Sequence, residues 1–415
     1  MVNHGSPTAK HGPQLVLVAA FLGWMFDGFE MGLFPIVGRP ALLSMLGAEA
    51  GDAAVGQWMG YITAAFLLGA AAGGFIFGWL GDRIGRVRAM SLSILCYSLF
   101  TGLGYFATEP WHLGGFRFIA ALGMGGEWSL GVALVMECWP ERWRPLLAGV
   151  IGAAANLGFL LVGYVGKLMS ITTDNWRSMW LIGMLPAVLV FLIRFWVPES
   201  ERWREAVRKE PGRPLRDIFS DGRWRTTVLA TAFASIALIG TWGSVQWIPI
   251  WVDQLTGGKI PSAKADIQMV SAVGAIVGSL LGPIIGGRIG RRPAYFLLCL
   301  GSLLSCGMLF RGGLAYGLAF QLNVLFVGVF TAAFYGWFPL YLPELFPTRM
   351  RATGQGVSFN TGRVFAAAGA VASGQMVAAF GGDYARMGGV ITLVYLAGLL
   401  LIWLAPETRG KPLPD

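Results

Sequence analysis

The sequence predicts an all-α polytopic membrane protein, with twelve transmembrane helices set as two parallel six-helix repeats. Three observations carry that prediction. Of 415 residues, 55% are hydrophobic and 13% charged, against about 25% charged in an average soluble domain. The apolar residues fall into runs of the ~20 residues needed to cross a bilayer as a helix. Short charged motifs recur at half the chain length. An ordinary soluble enzyme and a disordered chain are excluded, and the ~10-residue strict alternation of a membrane β-barrel is absent.

Taken in order, the expected spans are 15–38, 56–80, 87–107, 112–138, 145–168, 176–197, 226–252, 267–288, 293–311, 314–342, 354–380 and 386–405. Span 1 holds Asp27 and Glu30 and lacks a small-residue cleavage site after it. It therefore reads as an uncleaved helix and not a signal peptide. The spans are rich in glycine and other small residues, which suits close helix packing in lipid. Lys and Arg fix the expected orientation. With the N-terminus inside, cytoplasmic segments carry 21 of them, outer segments 7, and three (Arg117, Arg194 and Arg363) lie within spans. Both termini are expected in the cytoplasm, and the +9 net charge becomes a topology signal and not a nucleic-acid footprint. No Asn-x-Ser/Thr sequon occurs, which favours a bacterial inner membrane.

The repeat rests on three matches. Gly81–Arg86 (GDRIGR) returns as Gly286–Arg291 (GGRIGR), an offset of 205; Glu137–Arg144 returns as Glu344–Arg351, an offset of 207; Pro198-Glu-Ser returns as Pro406-Glu-Thr, an offset of 208. The chain accordingly divides into an N-terminal six-helix bundle (1–198), a polar cytoplasmic linker (199–225) and a C-terminal six-helix bundle (226–415). Parallel six-helix halves with a site between them at mid-membrane form one large transporter architecture.

The loop Gly78-x-x-x-Asp82-Arg83-x-Gly85-Arg86-x-Arg88 resembles the signature of the major facilitator superfamily, and the resemblance covers roughly residues 15–411. Asp27-Gly-Phe-Glu30, Gly125-Gly-Glu-Trp128 and Pro343–Gly354 are similar to segments of its metabolite–, sialate– and aromatic-acid–proton symporter families. Pro198-Glu-Ser and Pro406-Glu-Thr-Arg-Gly-Lys are similar to segments of sugar and organic-ion porters. The second half departs from the signature, with Gly287 standing where Asp82 stands in the first. The resemblance implies rocking of the two halves about a central site, and pairing of the span-4 arginine, Arg117, with an acid of span 1. It also implies that cytoplasmic charge sets make and break as a latch.

Charges inside a bilayer are costly and usually face a cavity or a partner. Asp27 and Glu30, three apart, share a face of span 1. With Arg117 and Glu127 they are the proton-coupling candidates. Glu127 lies ten residues beyond Arg117, about 1000° of rotation, so the two face different ways. Arg363 is the expected anchor of an anionic substrate, since a guanidinium fork suits a carboxylate. Its repeat equivalent is Asn156. Further substrate contacts are expected from Gln246, Asn360, Trp24, Trp128 and Tyr335. The cytoplasmic gate candidates are Asp82, Arg86, Glu137 and Arg144 in one half and Glu344 and Arg351 in the other. Static bridges and topology are the plain alternative for these.

Cys96, Cys138, Cys299 and Cys306 show no metal spacing, and the three histidines lie at termini or loops. No GxxxxGK[ST] loop is present. The sequence thus points away from an enzyme and from any cofactor or metal. It points to a monomeric secondary transporter, a proton symporter of a small organic anion such as a carboxylate, aromatic acid or sugar acid. The alternative is a uniporter or proton-coupled carrier of a sugar, organic cation or zwitterion.

Overall fold

Apolar helices with few breakers leave little choice but a helical bundle, because lipid offers no hydrogen bonds to the backbone. The computed structural model describes residues 8–138, 144–186, 219, 223–346 and 351–411. The first half contains α1 (Thr8–Leu46), α2 (Gly51–Ile84), α3 (Arg86–Leu103), α4 (Pro110–Cys138), α5 (Arg144–Met169) and the short α6 (Arg177–Ile182). The second contains α7 (Trp224–Gly243), α8 (Ile248–Leu255), α9 (Ala263–Ile289), α10 (Arg291–Arg311), α11 (Leu318–Tyr341), α12 (Arg351–Ala379), α13 (Tyr384–Ile391) and α14 (Val394–Leu401). Nine helical stretches among the described residues are long and apolar enough to cross a membrane. Helices α4 and α12 and the opening of a sixth span at α6 complete the twelve.

Two expected spans are broken. The seventh stops at Gly243, passes through a 3-10 turn at Val245–Trp247 and resumes as α8. Pro249 explains the restart, since it has no N–H to offer the preceding turn. The twelfth divides at Thr392 and Leu393, where the Thr392 hydroxyl donates to the Gly388 carbonyl at 2.9 Å. Such back-bonding bends helices. Span 1 runs well past its expected end, so Arg39 lies on α1 and not in a loop.

Packing repeats with the sequence. In the first half α2 lies against α4, and α1 against α5; in the second, α9 lies against α11, and α7 against α12. The halves meet along two seams, α2 with α12 and α5 with α9. Exchanging each helix for its repeat partner turns one seam into the other, so the halves are related by an approximate two-fold. The signature turns repeat too: Gly85 and Gly290 take φ of 106° and 104°, a left-handed conformation that side chains disfavour.

Candidate functional site

Both halves wall a central cavity of about 150 Å³. Trp24 and Met31 of α1, Phe66 of α2, Met124 of α4 and Asn156 and Phe159 of α5 face it from the first half. From the second come Thr241, Trp242, Gln246, Gln268, Ser271, Thr331, Tyr335, Phe338, Phe359 and Arg363. The broken seventh span is what brings Gln246 inward. Among the described residues Arg363 is the only charged one of this wall, and no Asp or Glu shares it. The surface is thus largely apolar and aromatic, with amide and hydroxyl groups around one fixed cation. That is the usual make-up of a small-molecule site.

Two buried pairs, one a carboxylate with a guanidinium and the other two carboxyl groups, lie behind the α1–α4 side of the wall. Glu30 is sealed off and its Oε1 accepts from Arg117 Nη1 at 2.9 Å and from the Thr101 hydroxyl at 3.2 Å. The Arg117 guanidinium also lies over the rings of Phe34, Phe66 and Trp180, at 5.0, 4.6 and 5.7 Å from their centroids. Asp27 and Glu127 adjoin each other instead, and both are buried. None of their four oxygens accepts a hydrogen bond from another group among the described residues. A Cβ on Gly23 would fall on the Glu127 carboxyl group, so glycine there is what admits it. Asp27 and Arg363 interact electrostatically.

At one end of the bundle charged groups bind the halves together. Arg39 of α1 donates to Asp52 and to Asp253, each at 2.9 Å; Lys264 donates to Asp253 at 2.8 Å. Gln254 joins Asp52 at 3.1 Å and the Gly382 carbonyl at 2.8 Å. Lys167 and Asp266 add a bridge of 2.7 Å where α5 meets α9. Sequence reasoning counted these cations only as loop charges, because the partner of Arg39 lies 214 residues away.

A family model described as Major Facilitator Superfamily matches residues 16–370. The chain belongs to that superfamily. It is 30% identical over 416 residues to a probable 4-methylmuconolactone transporter of Cupriavidus pinatubonensis, covering 98% of this chain and 92% of that one. It is 27% identical over 379 residues to a cis,cis-muconate transport protein of Acinetobacter baylyi, covering 88% of each. A partially occluded, inward-open structure of the xylose transporter XylE from E. coli superposes with a TM-score of 0.76 at 18% identity, over 97% of this chain and all of that one. At that identity the likeness speaks for the fold. The chain is thus a multi-pass membrane transporter of small molecules and not an enzyme.

For this superfamily member the candidate residues sort as follows. Trp24, Asn156, Gln246, Tyr335 and Arg363 face the cavity. Asn360 does not; its Oδ1 accepts from Arg363 Nη1 at 3.0 Å. Arg117 meets Glu30 and not Asp27, and it is buried and not turned to an interface. Thr241, Gln268, Ser271 and Thr331 were missed, although polar residues in apolar spans are a usable signal. Trp242 and Phe338 reach the cavity, whereas Trp247, Phe334 and Trp337 are fully enclosed. The side chain of Trp128 lies outside the described residues. So do those of Asp82, Arg86, Glu137, Arg144 and Arg351, and with them most of the expected latch. Glu344 is held bidentately by Arg291, at 2.6 and 2.9 Å, within the second half. Next to it Glu407 accepts the backbone N–H groups of Arg291, Arg292, Thr408 and Arg409 at 2.9–3.1 Å. Burial pushes the Glu407 carboxyl up, but these four donors outweigh it and hold the group below the usual carboxylate range.

Proposed function

We propose that the chain carries a small organic anion into a bacterial cell together with protons, by rocking of its two halves. The observation that carries this reading is the charge of the cavity wall: one guanidinium, Arg363, and no described carboxylate. Such a wall favours an anion, and would leave an amine without a counter-ion. The names of two relatives, a muconate carrier and a methylmuconolactone carrier, agree with an organic-acid substrate.

The Asp27–Glu127 pair is assigned the proton. Two adjoining acids whose oxygens accept no hydrogen bond from another described group are costly as two ions in an apolar interior, and one shared proton removes a charge and supplies a hydrogen bond between them. Arg363 links the two tasks. When a carboxylate neutralises it, Asp27 loses the cation within its electrostatic reach, and proton binding follows the substrate. Glu30 and Arg117, each held by the other, take no part in the transfer. Orientation follows the Lys and Arg count, with the clasp around Arg39 facing outward and the signature loops in the cytoplasm.

The test uses purified protein in proteoliposomes and a panel of acids, amines and sugars at two pH values. Acids alone should stabilise the protein, and an inwardly directed proton gradient should drive their accumulation. Stabilisation by amines or sugars, with none by acids, would overturn the reading.

A further inference from the structure

We infer that Arg363 offers one particular edge, Nε with Nη2, to a single planar carboxylate, and that Asn360 is the positioning residue that turns this edge to the cavity. The inference rests on the reading of the cavity as an anion site.

A guanidinium carries five N–H donors in a rigid plane. Here Nη1 is committed: it donates to Asn360 Oδ1 at 3.0 Å and to the Ala70 carbonyl of α2 at 3.3 Å. The Nε and Nη2 groups donate to no atom of the described residues, and they are not sealed in the core. With Nη1 held on one side, the opposite edge is the one that takes both oxygens of a carboxylate through two parallel bonds. The Phe359 ring, 5.2 Å from the guanidinium carbon, covers a face of the plane and steadies it.

Asn360 is itself held. It is 9% exposed, and a Cβ on Gly74 would come within 2.6 Å of its amide nitrogen. The amide is wedged where α2 meets α12, beside the cavity and not in it, so Asn360 acts through Arg363. The second bond of Nη1 goes to the first half of the molecule, so the edge is aimed only while α2 and α12 lie as they do here. Since Arg363 is the only charged residue of the described wall, a second carboxylate on the same ligand would meet no cation there.

The experiment measures binding of benzoate, lactate and N-acetylneuraminate, each beside its uncharged amide, to the purified full chain and three variants. Arg363→Ala tests the anion reading. If no acid binds the wild type, or acids bind this variant unchanged, that reading falls and the inference with it. Arg363→Lys keeps the charge and loses the fork; a roughly tenfold loss of acid affinity is expected, and wild-type affinity would overturn the edge while leaving the anion site standing. Asn360→Ala should weaken the acid roughly tenfold and leave its amide nearly unchanged. An equal change for acid and amide would mark Asn360 as mere packing and overturn its positioning role. Terephthalate, with its second carboxylate, should bind more weakly than benzoate, and tighter binding would overturn the single-carboxylate claim.

Discussion

Helix α1 carries two fully buried acids, Glu30 and Asp27, that meet different partners on α4. Glu30 has a cation, a hydroxyl and three aromatic rings gathered around its partner. Asp27, three residues earlier, adjoins another acid, Glu127, and its oxygens accept no hydrogen bond from another described group; Arg363 reaches it only through its field. The ten residues between Arg117 and Glu127 turn them to different faces of α4, so one helix pair builds both a hydrogen-bonded ion pair, in which only Glu30 Oε2 and Arg117 Nε lack a described partner, and a pair of acids none of whose oxygens has one. A group whose partners are all fixed holds structure. A buried acid with no bonded partner is costly as an ion, and a change of protonation or of surroundings relieves that cost. Burial alone does not separate the two; the partner does.

The largest effect should come from breaking the Glu30–Arg117 ion pair. Arg117→Met leaves Glu30 buried without a cation, a loss of about 3–5 kcal/mol, read as a sharply lowered unfolding midpoint in detergent. Adding Glu30→Met should restore most of that stability, since replacing both members of a buried pair is often neutral. A single variant that folds normally but loses pH dependence would erase the contrast drawn here. Asp27→Asn should do the opposite. Its stability should stay within about 1 kcal/mol of the wild type, while accumulation driven by a proton gradient is lost and substrate exchange across the membrane survives. Retained accumulation would move the proton to another group.

The sequence made some of this legible and hid the rest. Span number, the repeat and Arg363 were readable because they follow from composition, spacing and the cost of a charge in lipid. The four acid and base candidates of spans 1 and 4 were readable as a group. The resemblance implied that Arg117 meets an acid of span 1, but which acid was not readable: Glu30 and Arg117 are 87 residues apart, and helical phase shows only that Arg117 and Glu127 diverge. Span 7 read as continuous because its apolar content is continuous; the break depends on Pro249 and on local backbone geometry at Ser244. The clasp around Arg39 was hidden for a related reason. Its charges sit at helix ends, where a count of Lys and Arg registers sign and side but no partner.

That clasp offers a contrast of intermediate size. When the halves part, Arg39 can keep Asp52 and Lys264 can keep Asp253, so within the clasp each half leaves with a neutral pair; the Arg39–Asp253 and Gln254–Asp52 bonds break across the seam, together with the Lys167–Asp266 bridge and the bonds of Gln375 to Gln57 and Tyr61. Opening at this end therefore strands no buried charge, since Lys167 and Asp266 reach solvent, unlike separation of Glu30 from Arg117. Arg39→Gln should shift the population toward opening by about tenfold, as expected for loss of one charged hydrogen bond. Labelling of a cysteine at Ser271, on the cavity wall, by an impermeant maleimide from the clasp side would then rise. Unchanged labelling would show that the clasp does not hold the closed arrangement.

The smallest expected effect concerns Glu407, a third kind of carboxylate, bound by neither a cation pair nor another acid but by four backbone N–H groups at the start of α10 and in its own loop. Its carboxyl is held below the ordinary range, so the native state binds this proton less readily than the unfolded chain, for which about 4.3 is usual. The stabilisation is therefore present in full above that value and fades as pH falls through the lower native one. Glu407 is partly exposed, and solvent screening reduces its worth to about 0.5 kcal/mol at neutral pH. Glu407→Gln should show that small loss at pH 7, and the gap to the wild type should close as both are titrated below pH 4. The residue thereby calibrates the comparison. If Asp27→Asn also changed stability with this pH profile, Asp27 would be a fixed acceptor of the same type; a transport defect without such a profile keeps it apart as a proton carrier.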